Sequence, residues 1–320
     1  MREGVRPGAV HRPIGWLGLL ALAVGSLSGV SCHTVNYLDA QGPVYSGGPA
    51  APSPLPATGV PLRVVTFNIA FGRKIDRALE VLREAEPLRR PDVLCLQEMD
   101  APGVERIARE LQMSWVYYPS AVHPKTGRDF GCAILSPWRL VEPAKVELPF
   151  AATWTGIRRS VVRATLERGS ERVRVYSVHL PSPLGLGEER RRKQVAVLLD
   201  DAERSEDPVV IAGDFNSGGI GKVLEREGYT WVTRDLGPTV RFLFFGVHFD
   251  HVFTRGLVVS GEEPHCGVVK DNRDASDHRP VWAILSQPPA AAGGPARPSA
   301  DGTGPRSLPG PVVVERTNHG

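Results

Sequence analysis

Between residues 62 and 286 the chain alternates short β-branched runs with a few stretches of helical period, and many of the runs stop on a polar residue. "LRVVTFNIA" (62–70), "DVLCLQE" (92–98), "WVYYP", "CAILS", "KVELPF", "PVVIAG", "YTWVT", "FDHVFTR" and "RPVWAIL" read as strands. "RSVVRATLE" (159–167) and "RVRVYSVHL" (172–180) alternate with period 2 around "RGS" and predict a hairpin. "KIDRALEVLREAE" (74–86) puts Ile75, Ala78, Leu79, Leu82 and Ala85 on one helical face and stops at Pro87. "GVERIARELQ" (103–112) and "EERRRKQVAVLLDDAERS" (188–205) are the other helices. Strand pairs mixed with crossover helices predict an α/β sandwich with mixed sheets.

The polar ends carry the chemistry. The runs deliver Asn68, Glu98, His179, Asp214 and Asn216; Asp250 stands just before one strand, and Asp277 and His278 before another. Taken singly, each has a bland reading, since turns favour Asn and Asp. Taken together they are acids, amides and imidazoles at the same kind of position, and sites in open α/β sheets lie beyond strand ends. The set is rich in oxygen and free of thiol, which suits Mg²⁺ or Mn²⁺ rather than zinc or copper. A hard cation with two imidazoles and no nucleophilic Ser or Cys points to water attacking phosphorus.

The ordered motifs "TFNIAFG", "LCLQEMD", "YSVHLPSP", "IAGDFNS", "FDHVF" and "SDHRPVWA" closely resemble those of the endonuclease/exonuclease/phosphatase superfamily, over residues 62–286. The match is nearer to the pancreatic-type deoxyribonucleases and neutral sphingomyelinases than to the abasic-site branch, which often has a tyrosine where this chain has His179. The resemblance implies a four-layer α/β sandwich of two mixed β-sheets flanked by helices. It implies that Glu98 binds the metal, with Asn68 helping to hold the metal site and Asp277 as an additional ligand. Asp214 matches the residue that positions or deprotonates the attacking water, and Asn216 an amide donating to a phosphate oxygen. His179 matches a phosphate-contacting histidine that protonates the leaving oxygen. His278 matches the second imidazole and Asp250 its orienting carboxylate. Thr239 resembles a threonine that precedes this Asp, with a plain turn residue as the other reading. Arg159 and Arg163 read as solvated strand arginines, with phosphate contact as the alternative. His251 is expected beside the site, while His123 and His248 receive no role. "RRRK" (190–193) follows Glu188 and Glu189 and reads as an ion-paired helix face.

The flanks differ in character. Arg2, Arg6 and Arg12 precede an uncharged run of 17 residues, "IGWLGLLALAVGSLSGV" (14–30), that ends near Cys32. This predicts a signal peptide over 1–31, of lipoprotein type with Cys32 lipidated; simple secretion and an uncleaved anchor are the competing readings. All three place the domain outside the cytoplasm, as a bacterial cell-envelope lipoprotein or a secreted protein. Residues 32–60 read as a Pro/Gly/Ala-rich linker, 61–286 as the folded domain and 287–320 as a disordered tail. Of the 38 Lys+Arg and 35 Asp+Glu in the chain, six and four lie in the two flanks, which leaves the domain nearly neutral at 32 against 31. That balance gives no global pull toward nucleic acid. Four Cys with no C-x-x-C give neither a disulfide framework nor a zinc site.

The expected function is an exported divalent-metal-dependent phosphoesterase acting as a monomer on a phosphodiester, either DNA or a phospholipid or sphingolipid head group, with the membrane as a partner through the N-terminal lipid. "RFLFFGVHF" (241–249) reads as a buried strand, with a lipid-touching loop as the alternative. A non-catalytic binding lipoprotein on the same fold is the reading from another class; it predicts loss of a central residue, and none is lost.

Overall fold

The computed structural model describes residues 34–49, 59–242, 245–260 and 263–289. The expected signal peptide, Cys32 and all but the first residues of the expected tail lie outside them. The strands are β1 (Val35–Asn36), β2 (Tyr45–Gly47), β3 (Leu62–Asn68), β4 (Val93–Met99), β5 (Ser114–Val122), β6 (Asp129–Ser136), β7 (Arg139–Ala151), β8 (Arg158–Arg168), β9 (Glu171–His179), β10 (Val209–Asp214), β11 (Thr230–Trp231), β12 (Val240–Phe242), β13 (Phe245–Val247), β14 (Asp250–Arg255), β15 (Val258–Val259), β16 (Cys266–Val268) and β17 (Val281–Ser286). The helices are α1 (Ile75–Glu84), α2 (Ala101–Leu111), α3 (Glu188–Ala202) and α4 (Gly221–Arg226).

Two mixed sheets form. The first runs β1-β5-β6-β4-β3-β17-β15, with β2 also on β5 and β16 on β17; the second runs β11-β14-β10-β9-β8-β7. β3 pairs parallel with β4 and β10 parallel with β9, while the predicted β8–β9 hairpin is antiparallel. The central strands are apolar on both faces because each sheet is covered twice. Between the sheets, Leu62, Val64, Cys95 and Ile134 meet Val162, Val175, Val210 and Val252. On the outer face of the first sheet, Phe67, Leu94 and Leu96 pack against Ala78, Leu79 and Leu82 of α1 and Val104 and Ile107 of α2. On the outer face of the second, Tyr176, Ile211 and Phe253 pack against Val195 and Leu198 of α3 and Leu224 of α4. The four layers are those expected from the resemblance.

Local chemistry sets the helix ends. Asp100 caps α2 by accepting from the Gly103 backbone N–H at 3.0 Å, and Gln112 ends it in the left-handed region. α3 opens on Glu188 and Glu189, acids that favour a helix N-terminus.

Residues 34–49 correct the expected linker. β1 and β2 extend the first sheet by pairing antiparallel with β5. Lys145 is buried, and its Nζ donates to the Tyr37 and Gly42 carbonyls at 2.8 and 2.9 Å. The Tyr37 hydroxyl donates to Asp129 at 2.9 Å. Edge pairing and a buried cation override the Pro/Gly-rich composition around this segment.

Gly213 fixes how closely β9 and β10 approach. Its φ is +153°, and a Cβ there would stand 2.0 Å from the Val178 carbonyl oxygen, an atom of fixed backbone. Gly213→Ala is expected to destabilise the fold by about 3 kcal/mol. In a domain of this size that lowers Tm by roughly 6–12 °C. Scanning calorimetry checks it, and an unchanged Tm would contradict the close approach.

Candidate active site

One rung of the second sheet gathers three of the expected residues. Asp214 at the end of β10 lies opposite His179 of β9 on one side and Asp250 of β14 on the other. Residues paired across a rung share a face, so their side chains meet. Asp214 Oδ2 lies 3.5 Å from His179 Nε2 and 3.6 Å from His278 Nε2. His278, which precedes β17 in the other sheet, places its Nδ1 at 3.1 and 3.0 Å from the two Asp250 carboxylate oxygens. All four are buried.

The first sheet closes the site. Asn68 ends β3, and its amide Nδ2 donates to Asp214 Oδ2 at 3.1 Å and to Glu98 Oε1 at 3.3 Å. Glu98 sits where the β4–β6 register shifts, with φ of +59°, so a bulge turns it out of the strand. Its Oε2 accepts from the Phe71 N–H at 3.1 Å. Its Oε1 lies 3.8 Å from His179 Nε2.

Burial and charge set the protonation states. Burial pushes the Asp214 carboxyl up, against the pull of His278 and with the help of Asp250. Burial also raises Glu98, opposed by Arg159 and His278. Burial, then Arg159 and His278, hold His179 well below the usual imidazole range, so it is neutral. Burial alone would lower His278, but Asp250 and Asp214 overcome it and raise it to about 10. The two imidazoles therefore differ: His278 is a cation and His179 is not. Arg159 Nη1 lies 3.2 Å from His179 Nδ1. A guanidinium only donates, so Nδ1 accepts and the proton of His179 is on Nε2, facing Asp214 and Glu98.

Some expectations change here. Arg159 is not a solvated strand arginine: it lies on His179 and over the Phe130 ring at 4.5 Å, with its Nε buried and unpartnered. Arg163 is structural, paired with Asp201 at 2.6 and 2.8 Å. Thr239 is more than a turn residue. It is fully buried, and its Oγ1 accepts from the Phe249 and Asp250 N–H groups at 3.1 and 3.2 Å. Asn216, in the left-handed region at φ +49°, donates both amide protons inward, to the Leu180 carbonyl at 2.9 Å and Asp214 Oδ2 at 3.1 Å. It holds Asp214 rather than facing outward as a free donor. Asp277 is exposed, beside Ala70 and Phe71 at the rim of the site.

His251 accepts from Trp231 Nε1 at 3.3 Å through Nδ1 and turns Nε2 to the Ser217 carbonyl at 3.0 Å, fixing the turn after Asn216. His123 packs with Phe71 and Phe130 in an aromatic wall that reaches His179. His248 packs edge-on against His251. In "RRRK", Arg192 and Lys193 pair with Glu188 and Glu189 as expected. Arg191, however, is buried and donates to the Asn216 carbonyl at 2.5 Å. Sequence reasoning weighed Arg159 only as a second reading and missed Arg191, which lies buried in a run of charged residues.

The donors fit a hard divalent cation. Glu98 and Asp214 are two carboxylates bridged by the single Asn68 amide, with Asp250 one strand further on. Among the described residues, Glu98 Oε1 has only the Asn68 amide as a hydrogen-bond donor within reach. Ligand atoms of Asp214, Asp250 and His278 also lie within 4.8 Å of one another. His278 already bridges those two carboxylates, so Glu98 with Asn68 offers the freer oxygen.

A model of the Endonuclease/Exonuclease/phosphatase family matches residues 65–278, which include every residue of the site. A UPF0294 protein of Vibrio cholerae is 31% identical over 137 residues, 40% of this chain and 45% of its own, so the match spans about half of that relative. Among solved structures, the endonuclease/exonuclease/phosphatase from Beutenbergia cavernae aligns with a TM-score of 0.57 at 23% identity, covering 71% of this chain and 72% of its own. The mannosyl-6-phosphatase of Bacteroides thetaiotaomicron aligns at 0.54 and 16% identity, over 70% of this chain and 99% of its own. At these identities the likeness is one of fold.

The His278–Asp250 pair makes stability depend on pH. The folded pKa of His278, about 10, lies above its ordinary 6.5. The pair's contribution is therefore full below pH 6.5 and drains away as pH rises toward 10. The stability difference between wild type and Asp250→Asn, measured by urea unfolding, should be largest below pH 6.5 and shrink toward pH 10. A difference that does not vary with pH would contradict the pairing.

Proposed function

The chain belongs to the endonuclease/exonuclease/phosphatase family, and from that premise we propose that it is a divalent-metal-dependent phosphodiesterase. One observation carries the reading: a buried carboxylate, Asp214, flanked by a neutral and a charged imidazole at 3.5 and 3.6 Å. A group of one charge beside each partner state is what proton transfer and charge stabilisation at phosphorus require.

Asp214 takes the proton of the attacking water as the water oxygen bonds to phosphorus. Its raised pKa makes it a better base than an exposed aspartate near neutral pH. The His278 imidazolium, fixed by Asp250, neutralises charge on the phosphoryl oxygens. His179 donates an Nε2–H hydrogen bond to the leaving oxygen, which takes up a proton from solvent as its bond to phosphorus breaks, and Arg159 holds that tautomer. Asn68 and Asn216 keep Asp214 from turning away. A Mg²⁺ or Mn²⁺ ion on Glu98 and Asn68, with Asp277 at the rim, would supply Lewis-acid charge to the phosphate.

The substrate we propose is a phosphodiester, of DNA or of a lipid head group; the name of the mannosyl-6-phosphatase relative adds sugar phosphates to the panel worth assaying. Export and lipidation of Cys32 complete the proposal, supported by the basic residues and apolar run before it. Among the described residues no helix is long and apolar enough to cross a membrane. A non-catalytic role has no support in the site, where each central residue is present.

With Mg²⁺, the chain should cleave bis-p-nitrophenyl phosphate and at least one of plasmid DNA, sphingomyelin or a phosphoinositide, and EDTA should abolish the cleavage. Asp214→Ala and His278→Ala should each lower kcat by roughly 10²–10⁴-fold. Equal rates in the variants would sink the mechanism. Labelling with a radioactive fatty acid should vanish in Cys32→Ala; persistent label would remove Cys32 as the lipid site.

A further inference from the structure

We propose that the mouth of the site is a membrane-docking face, so that the phosphodiester is taken from the headgroup layer of a bilayer. The inference rests on the phosphodiesterase reading and narrows its substrate class.

Two loops leave the site end of the second sheet. One, 152–157, leads into Arg159; the other, 180–187, leads out of His179. The second starts against the site itself, since the Leu180 N–H donates to the Asp214 carbonyl at 3.0 Å and the Leu180 carbonyl accepts from Asn216 at 2.9 Å. The loops are tied together by Thr153 N–H to the Gly185 carbonyl at 2.8 Å and by Trp154 Nε1 to the Leu184 carbonyl at 3.1 Å. Trp154 and Leu184 are 81% and 79% exposed, whereas no other large apolar residue described exceeds 52%. With its N–H satisfied by protein, the indole presents only ring to the outside. A single exposed apolar side chain needs no explanation, but a hydrogen-bonded pair beside a site is a different matter.

The occupant is identified by where the N-terminal chain arrives. Thr34 Oγ1 donates to the Thr155 carbonyl, Asn36 Nδ2 donates to the Gly156 carbonyl at 2.9 Å, and the Arg158 N–H donates back to Asn36 at 2.7 Å. The chain therefore joins the domain next to Trp154. The uncharged run ends at Val30 and Cys32 follows, four and two residues before Thr34. Those intervals span at most about 14 and 7 Å when fully extended. An apolar run or a lipid seated in a bilayer leaves the domain no length to turn another face toward it. Tether, apolar pair and catalytic mouth lie on one side, and a lipid surface is the partner that satisfies all three.

The test uses the full chain in phosphatidylcholine vesicles containing sphingomyelin and a phosphoinositide. Brominated acyl chains should quench the part of the tryptophan emission that Trp154→Phe removes. The double variant Trp154→Ala/Leu184→Ala should turn over vesicle lipid about tenfold more slowly, with bis-p-nitrophenyl phosphate turnover unchanged. Unquenched Trp154 emission, as a protein partner or a second copy on this face would give, overturns the docking; so does a double variant as fast as wild type on vesicles. If wild type cleaves neither substrate, the phosphodiesterase reading falls, and the quenching alone decides the docking.

Discussion

Everything at the site depends on the parallel pairing of β9 with β10. That pairing sets His179 beside Asp214, and the antiparallel β14 on the other side sets Asp250 there too. Three ionisable residues thus share a rung whose spacing is fixed by backbone hydrogen bonds, which hold far more rigidly than a loop. Gly213 is the condition for it: the strands approach so closely that no Cβ fits against the Val178 carbonyl. The glycine before the aspartate belongs to the geometry as much as the aspartate does.

The electrostatics follow from that placement. Burying carboxylates raises their pKa, and burying imidazoles lowers theirs, unless a partner intervenes. Asp250 intervenes for His278 and Arg159 does not for His179, so two histidines in one space end in opposite charge states. The amides of Asn68 and Asn216 converge on Asp214 Oδ2, and Arg191 and His251 hold the turn that carries Asn216 and Ser217. A second ring of polar contacts keeps the first in place.

The strand ends were legible in the sequence because each polar residue interrupts an apolar run, and the hairpin and main helices were legible because their periods differ. Asn68, Glu98, His179, Asp214, Asp250 and His278 do converge. Arg159 was misjudged because alternation marks which face a residue takes, not what covers that face; Phe130 and His179 cover it. Arg191 hid within a run of like residues of which Arg192 and Lys193 are ordinary ion pairs. Asn216 matches a phosphate-contacting amide, whereas its left-handed backbone turns that amide to Leu180 and Asp214, a matter of φ rather than composition. Residues 34–49 read as linker because a two- or three-residue edge strand carries almost no periodic signal, and Lys145, which anchors them, stands over a hundred positions away.

The sandwich also determines when chemistry becomes possible. The site draws on β3 and β4 from one sheet, β9, β10 and β14 from the other, and His278 from the approach to β17. No contiguous fragment holds both Asn68 and His278 without nearly the whole domain between them. Contacts so distant in sequence form late and slowly. A partly folded chain therefore has isolated acids and imidazoles, and the centre is assembled only when the two sheets close on each other.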